Sequence, residues 1–276
     1  MSEFVHVMVL PFLACLILTG IHAYLGFPVI ERQVIFVDLA LAQIAALGST
    51  IALLWGHDLD SGIAYGFSLG FTILGAAIFS LTRFKRERIP QEALIGIVYA
   101  VSAALLIMIL SRSGEGDEHI KQALVGNILL VNGREILQMF VIYCTIGIFH
   151  FVFRRQFFLI SRDPQEAFRK GLNVRLWDFL FYVSFGFVVT SSVRLAGVLL
   201  VFSFLVVPSV CAIVFTDRLR LRLMLGWGVG CLASVVGMLV SYYLDFPTGA
   251  SVVCAFGLIL VICGGIKMIR ERILIV

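Results

Sequence analysis

The stretch ERQVIFVDLALAQIAALG, from Glu31 to Gly48, opens on the charged pair Glu31 and Arg32 and then runs into an apolar segment that nevertheless carries an acid at Asp38 and an amide at Gln43. A carboxylate inside hydrocarbon costs several kcal/mol, so it faces other protein or a wet path and takes a partner, a proton or a passing cation. At helical spacing Asp38 shares a face with Ala42, Ala45 and Ser49, small residues that either pack tightly or line a path. Gln43 lies five residues on, a turn of ~140° at 3.6 residues per turn. In a regular helix the two do not share a face, and a π-bulge would be needed to bring them together. The remaining candidate groups are dispersed. His6, His22, His57, His119 and His150 stand apart along the chain, and Cys15, Cys144, Cys211, Cys231, Cys254 and Cys263 lie in apolar runs without CxxC spacing. That pattern indicates neither a disulfide framework nor a thiolate metal site. The chain contains no GxxxxGK[ST] phosphate loop and no HExxH motif. A metalloenzyme is the weakest reading, and nothing here equips the chain to hydrolyse ATP itself.

The elements that must position these groups are transmembrane helices. Apolar residues make up 61% of the chain and charged residues 14%, against roughly 45–50% and about 25% in soluble domains. Runs long enough to cross a ~30 Å core fall at about 7–26, 33–55, 62–82, 93–111, 135–153, 176–192, 195–215, 223–244 and 248–267. The expectation is an all-α polytopic bundle of nine helices. Eight or ten stay open, because only Val193 and Arg194 part the sixth run from the seventh. Glu3, with no Lys or Arg ahead of the first run, is unlike the basic start of a cleavable signal peptide, so 7–26 is kept as a span. No linker or internal repeat divides the chain, which is read as one transmembrane domain over 1–276.

Of the 21 Lys and Arg residues, only Arg112, Lys121, Arg134 and Arg194 belong to one alternate set of connections, and the rest belong to the other. The positive-inside rule then puts the N-terminus outside and the C-terminus in the cytoplasm of an inner membrane. The net charge of +4 needs no nucleic acid to explain it. In this orientation His6, His57 and His119 fall in or near outer segments, and His22 and His150 towards inner ends. His57, Asp58 and Asp60 form an acidic outer rim that either concentrates cations or merely follows from topology.

Glycines every four residues (Gly62, Gly66 and Gly70 in the third run, Gly226 and Gly230 in the eighth) suit close helix packing in lipid. Pro208 lies deep in the seventh run and bends it, as a static kink or a hinge, with Ser203 and Ser209 available to re-satisfy the ladder. The inner segment 154–178, RRQFFLISRDPQEAFRKGLNVRLWD, contains a short capped helix of about seven residues. Asp163 is placed as N-cap, Pro164 suits the first helical position, Glu166 sits three after the cap, and Gly171 ends the turn. So short a helix needs to pack on something, either the membrane surface or a cytoplasmic partner.

Taken in order, the Asp38 helix, PQEALIGIVYA at 90–100 with GNIL at 126–129, SRDPQEAFRKGLNV at 161–174, AGVLLVFSFLVVPSVCA at 196–212 and SYYLDFPTGASVV at 241–253 make the chain resemble the membrane subunits of ABC importers for zinc and manganese. The resemblance covers nearly the whole chain. It implies a permease that pairs as a homodimer, binds an ATP-binding-cassette ATPase subunit inside, and receives metal from an extracytoplasmic metal-binding protein. ATP would sit on the partner, with no covalent cofactor on this chain and a divalent metal as cargo, zinc first and manganese or iron next. The coupling segment would dock on the ATPase through Asp163, Pro164, Gln165, Glu166 and Ala167, and the proline of the seventh helix matches Pro208. Members of the family usually carry an aspartate followed four residues later by a histidine. Here Ala42 holds that position, and Gln43, a weak ligand for zinc, is the nearest polar residue to complete a metal pair with Asp38. An ion channel or secondary transporter would account for the spans and Asp38 without any ATPase.

Overall fold

The computed structural model describes residues 2–59, 61–83, 89–111 and 126–275, with side chains between 7 and 270. His119 and Asp60, and the side chain of His6, lie outside the described residues. Every regular element among them is helical: α1 (Ser2–Glu31), α2 (Val37–Leu54), α3 (Gly62–Leu81), α4 (Gln91–Leu110), a 3₁₀ turn (Ile128–Leu130), α5 (Gly133–Val152), α6 (Arg154–Arg162), α7 (Pro164–Arg169), α8 (Val174–Ala196), α9 (Val198–Phe215), α10 (Leu219–Leu244) and α11 (Thr248–Ile275). Nine of these are long and apolar enough to span a bilayer. The sixth and seventh spans part at Gly197 (φ 77°) rather than at Val193 and Arg194. A residue held at positive φ is the point where glycine ends a helix at least cost.

The chain clusters into two compact units. The first comprises Met1–Phe27, Val125–Val141 and Leu195–Val276. Here α9 packs on α10 and α11, and Gly226 and Gly230 of α10 face Ala23 and Thr19 of α1. Gly237 lets α10 approach the Val252 backbone so closely that a Cβ would lie 2.4 Å from Val252 Cα. The GNIL segment is held because Gly126 (φ 65°) leaves room for the Ala196–Gly197 backbone, with Asn127 N–H donating to Leu195 O at 3.1 Å. Helix α9 continues across Pro208. The flanking serines do not re-satisfy its ladder: Ser203 donates to Leu199 O and Ser209 reaches Ala23 O of α1.

The second unit comprises Pro28–Leu124 and Ile142–Arg194. Helix α2 packs against α3 and α4. Gly48 meets the Phe67 backbone, and a Cβ there would stand 2.7 Å from the Phe67 carbonyl oxygen. The Gly62, Gly66 and Gly70 ridge behaves differently, with nothing within 4 Å of a Cβ at any of the three. The close approach of α2 and α3 uses Gly48 and Gly75 instead. Near the end of α5, His150 stacks on Phe157 with ring centroids 4.4 Å apart, beside Phe181, Phe185 and Trp177.

Candidate functional site

The chain turns from α1 into α2 through a tight elbow. Gln33 takes φ 57°, its N–H reaches Ile30 O at 3.0 Å, and Val34 N–H reaches Val29 O at 3.2 Å. This is the paired 5→2 and 6→1 ending of a helix that closes in the left-handed region. Residues 33–36 are therefore elbow rather than helix, and α2 starts at Val37. That start corrects the depth implied by a span from 33: Asp38 occupies the first turn of α2, not a position several residues inside it. What keeps it from water is surrounding protein, since the residue is 1% exposed. The first turn also presents the positive end of the helix dipole, which favours a carboxylate.

Neither carboxylate oxygen of Asp38 has a hydrogen-bond partner, and Gln43 Oε1 is likewise buried without one. Buried polar atoms are paired in the great majority of cases, so a buried carboxylate without a hydrogen-bond partner is a functional candidate. Helix α2 is regular α-helix from Val37 to Leu54 with no π-bulge, so the structure does not bring Gln43 onto the Asp38 face. Ala42 and Ala45 are buried beside Asp38, and Ser49 turns its hydroxyl to Ala46 O. Below this turn, Glu92 of α4 accepts the Phe36 N–H at 2.9 Å and pins the foot of α2.

The segment 154–178 forms two short helices, of which the sequence anticipates the second. Asp163 caps α7, accepting Glu166 N–H at 2.8 Å, and Pro164 opens it. Gly171 (φ 75°) closes it, with Gly171 N–H to Phe168 O and Leu172 N–H to Ala167 O both at 3.1 Å. Ala167 is fully buried with Ile160 and Val174, against Leu159, Phe168, Leu172 and Trp177. It thus faces the segment's own core, while Gln165 and Arg169, one turn apart, are exposed. Helix α6 before it is amphipathic, burying Phe157, Ile160 and Ser161.

A third group was not legible in the sequence. Asp178, at the start of α8, is completely buried between two arginines: Arg32 Nη1 donates to its Oδ1 at 2.6 Å and Arg83 Nη1 to its Oδ2 at 2.7 Å. Arg32 also donates through Nε to Ser161 Oγ at 2.9 Å, and its guanidinium lies 4.0 Å over the Phe181 ring. Gln91 ties in the start of α4, donating to Phe79 O and to the Tyr182 hydroxyl. Asp178 is thus a second buried acid within a span, beside Asp38 in α2. The available signal was Asp178 inside the sixth run, but Arg32 and Arg83 stand 146 and 95 residues from it and nothing local pairs them. His22 and His150 are both buried, His22 Nδ1 against Leu18 O and His150 Nε2 against Ser184 Oγ. Among the described residues no group of three or more His, Cys, Asp or Glu is arranged to hold a metal.

A family model described as the ABC 3 transport family matches residues 5–266. The manganese transport system membrane protein MntC of Listeria innocua is 26% identical over 205 residues, covering 71% of this chain and 73% of that protein. The manganese import system permease protein ScaB of Streptococcus parasanguinis is 27% identical over 207 residues, 71% and 73% of the two chains. The chelated iron transport system membrane protein YfeD of Yersinia pestis is 26% identical over 227 residues, 78% and 76%. The fold is similar to that of PsaBC from Streptococcus pneumoniae, solved in complex with Fab, with a TM-score of 0.78 at 20% identity over 95% of this chain and 94% of that one.

Proposed function

The chain belongs to the ABC 3 transport family, and on that premise we propose that it is the membrane-spanning permease subunit of an importer that moves a divalent metal ion. It is a transport subunit rather than an enzyme, and ATP hydrolysis falls to a separate ATP-binding-cassette subunit. Cargo arrives from an extracytoplasmic metal-binding protein. Two copies of the chain pair in the cytoplasmic membrane, N-termini outside and C-termini inside, in keeping with the basic inner connections.

The observation that carries this reading is Asp38, a buried carboxylate with two unpartnered oxygens in the first turn of a transmembrane helix. Oxygen donors suit manganese and other hard cations, whereas zinc favours nitrogen and sulfur ligands. Manganese and iron, for which relatives are named, therefore come ahead of zinc. Gln43 offers a second oxygen on another face of α2, so it would meet the ion at a different stage from Asp38. The face of α7 that carries Gln165 and Arg169 is the docking surface for the ATPase. Asp163, Pro164 and Glu166 shape that helix, and Ala167 seats it from behind. Pro208 is a fixed bend that brings α9 against α1 at Gly26.

The test is reconstitution with the ATPase and the binding protein, comparing ATP hydrolysis when the binding protein carries manganese, iron or zinc. Stimulation by the manganese- or iron-loaded protein, accompanied by uptake, is the expected result. Uptake by this chain alone, driven by an ion gradient with no ATPase present, would replace the importer with a channel or secondary transporter.

A further inference from the structure

Glu31, the last residue of α1, and Arg32 after it grip two consecutive residues at the end of α6. Arg32 Nε donates to Ser161 Oγ at 2.9 Å, and Arg162 Nε donates to Glu31 Oε1 at 3.3 Å. The second link is half exposed on its arginine side, so solvent weakens it. The first is buried from end to end, with the Arg32 side chain fully buried and Ser161 3% exposed. The Ser161 hydroxyl gives its proton to Phe157 O at 2.8 Å, which leaves a lone pair for Arg32. Only Arg162 stands between Ser161 and Asp163, the N-cap of α7. On the other side, Arg32 is the last residue before the left-handed Gln33, and Asp38 follows within one elbow.

We propose that Arg32, held between Ser161 and Asp178, is the positioning residue through which displacement of α7 reaches Asp38. The inference rests on the reading of α7 as the ATPase-docking helix. A hydrogen bond of this kind is lost over a few tenths of an ångström beyond 3.2 Å, and Arg32 keeps a spare buried donor, Nη2, that has no hydrogen-bond partner. The joint therefore has discrete arrangements: Arg32 shared between Ser161 and Asp178, or drawn wholly onto Asp178. Asp178 stays neutralised in both by Arg83. Only the first arrangement ties the elbow to α6, and because the elbow bonds Val37 N–H to Val34 O at 3.1 Å, releasing it frees the first turn of α2. Arg32 touches no cargo. It sets where Asp38 stands as α7 moves.

The experiment measures metal uptake and ATP hydrolysis together in proteoliposomes that contain the complete complex with loaded binding protein. Ser161→Ala removes the link while sparing the Arg32–Asp178 pair. It should assemble and hydrolyse ATP like the parent, but transport fewer ions per ATP by about fivefold, the factor that corresponds to one hydrogen bond. Ser161→Thr, which keeps the hydroxyl, should restore the ratio. Arg32→Lys, which cannot hold both partners in one plane, should behave as Ser161→Ala does. Should Arg32→Lys fail to assemble, the alanine and threonine variants decide alone. A parental ratio in Ser161→Ala would overturn the proposal, as would uptake and hydrolysis falling in parallel with thermal stability, which is the mark of a structural role. Failure of the importer reading would show separately, as absence of ATP-dependent uptake in the parent complex.

Discussion

Replacing Asp38 by asparagine should separate transport from stability. The substitution keeps the shape of the side chain and breaks no hydrogen bond, because neither carboxylate oxygen has one to lose. It removes the effective penalty of a buried ion, several kcal/mol, and leaves an amide whose unpartnered burial costs about 1–3 kcal/mol. The balance is neutral or favourable, and the melting temperature in detergent should fall by no more than ~4 °C, the shift that corresponds to about 1 kcal/mol in a chain of this size. Transport should respond in the opposite way. A cation at ~4 Å from a carboxylate gains about 4 kcal/mol per unit charge at an effective dielectric of 20, nearly three decades of affinity that the amide cannot supply. Manganese uptake into proteoliposomes should therefore drop at least about tenfold even where hydration replaces much of that attraction. The measurement pairs radiolabelled uptake with a fluorescence melt on the same preparation. Parental uptake by a stable Asp38→Asn protein would refute the pathway role. A large loss of stability would refute the premise that the carboxylate is unpartnered.

The same substitution at the other buried acid should act in reverse. Asp178→Asn leaves one of two buried guanidiniums facing an amide donor, at a cost of about 3–5 kcal/mol and a melting shift of roughly 6–20 °C; a shift of only a degree or two would mean that the cluster is hydrated. Gly48→Ala forces a Cβ to within 2.7 Å of the Phe67 carbonyl and should destabilise by about 1–3 kcal/mol, whereas Gly66→Ala, with nothing within 4 Å, should leave the melt of the solubilised chain unchanged. Asp163→Ala deletes the cap on Glu166 N–H, worth ~1 kcal/mol, and should weaken ATPase retention about fivefold in a titration of the two subunits; unchanged retention would argue that α7 is ordered by its buried face alone.

What the sequence by itself determined was local in origin. The nine spans follow from the length and apolarity of each run, quantities that need no knowledge of neighbours. The α7 helix was legible down to its cap and its closing glycine because Asp163, Pro164, Glu166 and Gly171 act within a few residues of one another. Asp38 was conspicuous because a carboxylate in an apolar run is costly wherever it ends up. Tertiary structure decided the rest. The start of α2 moved to Val37 because the elbow closes on backbone bonds and a left-handed Gln33 that no periodicity announces. The Gly62, Gly66 and Gly70 ridge carries the four-residue packing signature yet stays open, while the lone Gly48 and Gly75 carry none and make the close approach, because the placement of α3 against α2 decides which glycines meet a neighbour. Ala167 turned inward because α6, α7 and α8 close their small core on it together with Ile160 and Val174. Asp178 found Arg32 and Arg83 across 146 and 95 residues, a pairing that exists only once the C-terminal ends of α1 and α3 and the start of α8 converge, since a buried charge is satisfied by whatever the fold brings to it and not by its neighbours in the chain.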